Sequence, residues 1–186
     1  GLAGEFPETP VDFVTQDSRL VKPGCLFVAL SGTPSGGFVS SFASARDGWE
    51  FADKAQAAGA VAMIVPHRIG GVSVPQLIVK DTLIDGLWTL ARAARARFDG
   101  PVIGLTGSAG KTSTKEFLAA YPDAYASPSS FNNFWGVPLT LCNASPDASV
   151  WVVEMGMNQT GEIARLSELT EPTVALVVNV QPVHLE

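Results

Sequence analysis

Gly104-Leu-Thr-Gly-Ser-Ala-Gly-Lys-Thr-Ser-Thr-Lys-Glu116 is the stretch that decides how this chain is read. The residues leading into it, Pro101-Val-Ile-Gly-Leu-Thr106, are apolar and short, which predicts a buried strand. Gly107-Ser-Ala-Gly110 predicts a tight turn, and a helix is expected over 111–120, with Phe117 and Leu118 as its main apolar residues. Strand, glycine turn and helix together form the setting of a phosphate-binding loop. The glycines let backbone N–H groups face phosphate oxygens, and the helix N-terminus adds positive potential. Lys111 can reach terminal phosphates, and the Thr112 hydroxyl can ligate Mg2+. The strict P-loop pattern asks for glycine at position 105, where this chain has Leu105.

Working outward, the 186 residues are 46% hydrophobic and only 16% charged, with a net charge of −6, enough apolar content for one or two cored domains. No basic face stands out, so nucleic acid is not an expected partner. Cys25 and Cys142 each lie in apolar runs and read as buried core thiols, and no C-x-x-C pair points to zinc or redox chemistry. No signal peptide and no apolar run near the length of a membrane span is found, so a cytoplasmic chain is expected.

Upstream, residues 1–10 read as a loop, Val11-Asp-Phe-Val14 as a short strand, and Cys25-Leu-Phe-Val-Ala-Leu30 as a buried one. A Gly/Ser-rich loop over 31–41 leads to a helix over 49–58 that stops at Gly59. Ala60-Val-Ala-Met-Ile-Val65 and Gln76-Leu-Ile-Val-Lys80 are further strands. Asp81 or Thr82 caps a helix on which Ile84, Leu87, Trp88, Ala91 and Phe98 share a side; Arg92, Arg95 and Arg97 fall near its solvated flank. Asp99-Gly-Pro101 is the natural boundary, giving domains 1–99 and 100–186. Downstream, 122–130 reads as a polar turn region, Val150-Trp-Val-Val153 as a strand ending on Glu154, 161–169 as a helix, and Val174-Ala-Leu-Val-Val178 as a strand followed by Asn179 and His184. The alternation predicts an α/β fold with mostly parallel sheets.

In such sheets ligands bind beyond the carboxyl ends of the strands. Glu154 at a strand end is either a Walker B-type carboxylate holding Mg2+ or a partner for a helix N-terminus or lysine. His184, after the last strand, is either structural or a ligand. The chemistry this set can perform is phosphoryl transfer, with the acceptor left open.

Taken together, these residues resemble the Mur ligases of bacterial cell-wall synthesis. Asp17-Ser-Arg19, Lys22-Pro-Gly-Cys-Leu-Phe-Val-Ala-Leu-Ser-Gly32, Asp47-Gly48 and Ala58-Gly-Ala60 are similar to the family's small α/β UDP-binding N-terminal domain. Thr106-Gly-Ser-Ala-Gly-Lys-Thr112 is similar to the family's own P-loop, which lacks the early glycine. Lys115-Glu116, Asn132-Asn133, Gly136-Val-Pro138, Glu154-Met-Gly156 and Gly161-Glu-Ile163 resemble the member that joins D-alanyl-D-alanine to UDP-N-acetylmuramoyl-tripeptide.

The resemblance implies an ATP-dependent ligase acting through an acyl phosphate. It assigns ATP to Gly107, Ser108, Ala109, Gly110, Lys111, Thr112 and Ser113, and catalysis to Lys111, Glu154 and His184. Thr112 and Glu154 would hold one Mg2+ and His184 a second. Ser18 and Arg19 would lie near the uridine nucleotide, and Asn132 and Asn133 near the substrate or the phosphates. Trp49 stands where the family carries histidine. Family members continue well past the His-Leu-Glu that closes this sequence, so a monomeric fragment with part of the ATPase domain and little turnover is expected. Two other readings stay open: a related ligase of the folylpolyglutamate synthase kind, and a non-catalytic module binding UDP-sugars or nucleotides.

Overall fold

The computed structural model describes residues 2–3, 10–33, 35–38, 44 and 46–181. The chain falls into two compact units, Gly1–Thr89 and Leu90–Glu186. Each has its own sheet.

The first unit carries a five-stranded sheet in the order β1-β5-β4-β3-β2. Its strands are β1 (Leu2–Ala3), β2 (Phe13–Thr15), β3 (Cys25–Val28), β4 (Ala60–Val65) and β5 (Gln76–Ile78). All neighbours are parallel except β1, which runs antiparallel to β5. Residues 2–3 therefore form an edge strand where the sequence predicts a loop. β3 is buried at every position and β4 at all but Val61, as continuous apolar runs in a covered parallel sheet should be. Asp47 opens a 3-10 turn (Gly48–Phe51) that continues as α1 (Ala52–Ala57), and Gly59, at φ +103, ends the helical stretch. Gly59 also lies so close to Pro23 that a Cβ would sit 3.0 Å from the proline Cα.

Asp81, not Thr82, is the cap of the next helix: its carboxylate accepts from the Leu83 and Ile84 N–H groups, each at 2.9 Å. That helix opens as a wide π-helical segment (Thr82–Trp88) and tightens into α2 (Thr89–Arg95). Gly86 presses against β4, where a Cβ would meet Ile64 at 2.8 Å.

The second unit carries a four-stranded parallel sheet in the order β7-β8-β6-β9. Its strands are β6 (Val102–Thr106), β7 (Ala124–Ala126), β8 (Val150–Glu154) and β9 (Val174–Val177); its further helices are α3 (Lys111–Ala119), α4 (Gly136–Asn143) and α5 (Glu162–Thr170). Right-handed crossovers send α3 to one face and α4 and α5 to the other, consistent with α4 packing on α5. Two elements go beyond the reading of the sequence, which gives no helix over 136–143. β7 lies inside the stretch expected to be only polar turn. α4 begins at Gly136 and runs through Pro138, which is tolerated because the first-turn N–H groups have no intrahelical acceptor.

α3 also inverts expectation. Phe117 is 82% exposed, while Lys115 is the helix's buried residue. The inward face runs along the Lys111–Lys115 line, and Phe117 points away from it. Residues 90–98 belong by packing to the second unit. The Phe98 ring stacks on Trp151 with centroids 4.1 Å apart. Arg95, expected on a solvated flank, donates to the carbonyls of Thr170, Glu171 and Phe98 at 2.8, 2.9 and 2.8 Å. It thereby holds the C-terminal end of α5, whose last carbonyls lack intrahelical donors.

Candidate nucleotide site

β6 and its neighbour β8 are followed by α3 and α5, which leave to opposite faces of the sheet, so the carboxyl ends of these two strands form the usual place for a ligand in such sheets. The turn 107–110 emerges there. Gly107 has φ +152 and Gly110 φ +78. A Cβ on Gly107 would sit 3.1 Å from both the backbone nitrogen and oxygen of Asn179, so only glycine fits without displacement. Gly110 is the N-cap of α3 and brings no side-chain oxygen. The first-turn N–H groups of α3 are thus left for an external acceptor, which suits an anionic phosphate.

Asn179, two residues past the end of β9, works on the loop itself. Its backbone oxygen accepts from Ser108 N–H at 3.2 Å and its Oδ1 from Ala109 N–H at 2.9 Å. Ser108 Oγ in turn donates to Gln181 O at 3.1 Å and accepts from Gln181 N–H at 2.9 Å. Lys111 folds back and donates to the Gly107 carbonyl at 2.7 Å.

Glu154 closes β8 beside the loop and is 1% exposed. Its Oε1 accepts from Asn132 Nδ2 at 2.8 Å, and its Oε2 lies 3.4 Å from Thr112 Oγ1, the longest contact of the group. Its backbone N–H donates to Ser127 Oγ at 3.1 Å. A buried carboxylate held by two neutral donors keeps unused acceptor capacity, which fits a hard divalent cation shared with a threonine hydroxyl. Among the described residues no cluster of three His, Cys, Asp or Glu side chains is found, so a cation here would complete its shell with phosphate oxygens or water.

Asn132 and Asn133 part company. Asn132 faces Glu154, while its own carbonyl accepts from Gly156 N–H at 2.7 Å. Asn133 Oδ1 accepts from Trp135 and Gly136 N–H at 3.2 and 2.8 Å, so this side chain organises the start of α4. Sequence reasoning missed Ser127, which holds the Glu154 backbone from an unremarkable Ala-Ser-Pro run. His184 lies outside the described residues.

In the first unit, Arg19 grips Asp17 with a two-point ion pair, Nη2 to Oδ2 at 2.6 Å and Nε to Oδ1 at 2.9 Å. The guanidinium hydrogen bond holds the Asp17 carboxyl below the usual carboxylate value. Ser18 sits partly buried between them in sequence. Asp47 accepts from Ser31 Oγ at 2.9 Å and Gly32 N–H at 2.8 Å, tying the two motif segments together. Trp49 packs edge-on against His67, centroids 5.7 Å apart. Burial pushes the thiol of the buried Cys25 up, and that of Cys142, which is only partly buried where the sequence predicts a core thiol, up to about 12; neither is poised as a nucleophile.

Residues 105–186 match the Mur ligase middle domain. The whole chain is 41% identical to the UDP-N-acetylmuramoyl-tripeptide–D-alanyl-D-alanine ligase of Escherichia coli K12, spanning 39% of that protein. Among solved structures it is similar to a crystal structure of MurF from Acinetobacter baumannii, with a TM-score of 0.81 and 32% identity over 96% of this chain and 38% of that one. It is likewise similar to MurF from Thermotoga maritima in complex with ADP, with a TM-score of 0.75 and 32% identity over 97% of this chain and 40% of that one. The chain thus spans about two-fifths of the length of the proteins it matches.

Proposed function

The chain belongs to the Mur ligase family, and from that premise we propose that it is the nucleotide-binding front portion of an ATP-dependent ligase. The ligase joins D-alanyl-D-alanine to UDP-N-acetylmuramoyl-tripeptide in peptidoglycan precursor synthesis. The first unit, residues 1–89, forms the domain that takes the uridine substrate, with Ser18 and Arg19 near the nucleotide. The second unit, residues 90–186, starts ahead of the boundary at 99 expected from sequence and is part of the central ATP-binding domain. The protein works in the cytoplasm as a monomer; no helix among the described residues is long and apolar enough to cross a membrane.

The observation that carries the reading is the meeting of Lys111, Thr112, Glu154 and Asn132 at the carboxyl end of β6, in a chain 41% identical to such a ligase. Residues 107–113 cradle the phosphates of ATP through backbone N–H groups and the helix start. Lys111 leaves the Gly107 carbonyl for the β- and γ-phosphates and balances their charge. Thr112 and Glu154 would hold Mg2+, and His184 would contribute to a second ion; the chemistry such a cation would supply is offset of the charge on the phosphoryl group. The tripeptide's terminal carboxylate attacks the γ-phosphorus, giving an acyl phosphate and ADP. The dipeptide amine then attacks the acyl carbon, forming the peptide bond, expelling phosphate and releasing a proton. Asn132 keeps the Glu154 carboxylate aimed at the metal position, and Asn133 sets the α4 start near the substrate.

Calorimetric titration of the chain tests this directly. Saturable ADP binding that tightens with Mg2+, together with selective binding of UDP-N-acetylmuramoyl-tripeptide over UDP-glucose, is the expected result. ADP binding without the tripeptide would favour another Mur-type ligase. Uridine-nucleotide binding without ADP would favour a non-catalytic module. Heat from neither would sink the proposal.

A further inference from the structure

Lys115 is 1% exposed, while every other residue of its helix is exposed or only partly buried. Burying a lysine amine costs several kcal/mol unless its donors are met. Here the amine donates to the Ser129 carbonyl at 2.6 Å and pairs with Glu116 Oε1 at 3.1 Å. Glu116 is 66% exposed, so the ion pair itself is weakly held by comparison. The Ser129 contact is the specific one. Ser129 sits at φ +47, a left-handed conformation that a non-glycine residue adopts only when its surroundings impose it.

The held segment is short and leads on both sides to the same carboxylate. Two residues before Ser129, Ser127 Oγ takes the Glu154 backbone N–H at 3.1 Å. Three residues after it, Asn132 Nδ2 donates to Glu154 Oε1 at 2.8 Å. Ser127 N–H bonds Val152 O in β8 at 3.0 Å and the Asn132 carbonyl takes Gly156 N–H at 2.7 Å, so both ends of the segment meet the β8 side. Between them, Phe131 N–H bonds Pro128 O and Asn132 N–H bonds Ser130 O, a run of tight turns whose middle is held from outside by Lys115. Lys115 ties that turn to the P-loop helix, one turn along from Thr112.

We propose that Lys115 is a positioning residue: by holding the Ser129 carbonyl it fixes segment 127–132, and through Ser127 and Asn132 it sets where the Glu154 carboxylate points. The helix that presents Thr112 and the carboxylate that faces it are thereby locked in one register. The consequence for metal binding rests on the phosphoryl-transfer reading above; the positional claim does not.

The test uses Lys115→Met, which replaces the amine with an apolar chain of similar length, and Glu116→Gln, which removes the ion pair but keeps the Ser129 contact. Amide hydrogen exchange is followed by NMR without nucleotide. In Lys115→Met the amides of Phe131, Asn132 and Glu154 should exchange about tenfold faster while Leu105 in β6 stays protected, and in Glu116→Gln none should change. Unchanged exchange at 131, 132 and 154 in Lys115→Met overturns the proposal. Calorimetry then compares ADP affinity with and without Mg2+. Lys115→Met should lose most of the Mg2+-dependent gain and keep metal-free affinity, a split that a general loss of stability would not produce. Faster exchange with the Mg2+ gain intact overturns the metal-arm role. A wild-type chain that binds no ADP counts against the function reading and leaves the exchange result to judge the positional claim. Should Lys115→Met fail to fold, the unmodified chain decides: a slowly exchanging Lys115 amine signal coupled to the Ser129 carbonyl carbon is expected, and a rapidly exchanging, solvent-like signal refutes the contact.

Discussion

Lys111 Nζ donates to the carbonyl oxygen of Gly107 at 2.7 Å, closing the glycine turn upon itself. The lysine that can neutralise a phosphate is here spent on the backbone of its own loop, so binding an anion exchanges one hydrogen bond for a stronger, charge-assisted set. Lys111→Met should weaken ADP binding roughly 100-fold, about 2.7 kcal/mol. It should change folding stability by no more than about 1.5 kcal/mol, since the lost bond is partly solvated. Calorimetry and urea denaturation check the two numbers separately.

Asn132→Ala removes the donor to a carboxylate oxygen that water reaches poorly, Glu154 being 1% exposed. A loss of about 1–3 kcal/mol in urea unfolding is expected. The Mg2+-dependent part of ADP binding should fall with it, whereas Asn133→Ala should cost about 1 kcal/mol through the α4 start and leave the Mg2+ dependence alone.

The Asp17–Arg19 pair gives a pH dependence of known sign. The Arg19 hydrogen bond lowers the Asp17 carboxyl from its ordinary 3.8. A lowered carboxyl contributes stability that is present above the unfolded value and is lost as pH falls through the folded one. Arg19→Ala should therefore raise the Asp17 midpoint in an NMR titration toward 3.8 and flatten that part of the acid limb. Above neutral pH the unfolding midpoint should barely move, because the pair is exposed.

Phe98 stacks on Trp151 with ring planes 4° apart and is buried. Phe98→Ala should cost about 3–5 kcal/mol and shift Trp151 fluorescence. A loss below about 1 kcal/mol would mean that residues 90–98 do not belong to the second core. Arg95→Ala should destabilise the same unit by freeing the carbonyls at the end of α5.

The elements that sequence made legible share a physical trait: long apolar runs punctuated by glycine. β4, β6, β8 and the loop 107–110 declare themselves because a buried parallel strand must be apolar throughout and a positive φ asks for glycine. β7 is three residues, Ala-Tyr-Ala, too short for periodicity to register. α4 hides behind Gly136 and Pro138, breakers everywhere except the first turn where they stand. The meeting of Glu154 with the loop could be argued from strand ends alone. The burial of Lys115 in place of Phe117 could not, because it depends on which side of α3 meets β7 and β8, a matter of tertiary contact. The π-helical opening at 82–88 was equally silent, since nothing in its residue types sets it apart from an α-helical turn.

β9 pairs with β6 along one side only among the described residues, and Val174 and Val177 stand more than half exposed on it. For these 186 residues taken by themselves, a ladder of N–H and C=O groups with no described strand against it, flanked by valines, is a front on which a sheet can grow. In solution this bears on colloidal behaviour more than on folding. The net charge of −6 repels copies at long range, while the open strand rewards any pair that meets edge to edge. Adding salt should therefore drive the second virial coefficient negative well before the protein unfolds, and a single lysine on the outer side of β9 should restore it.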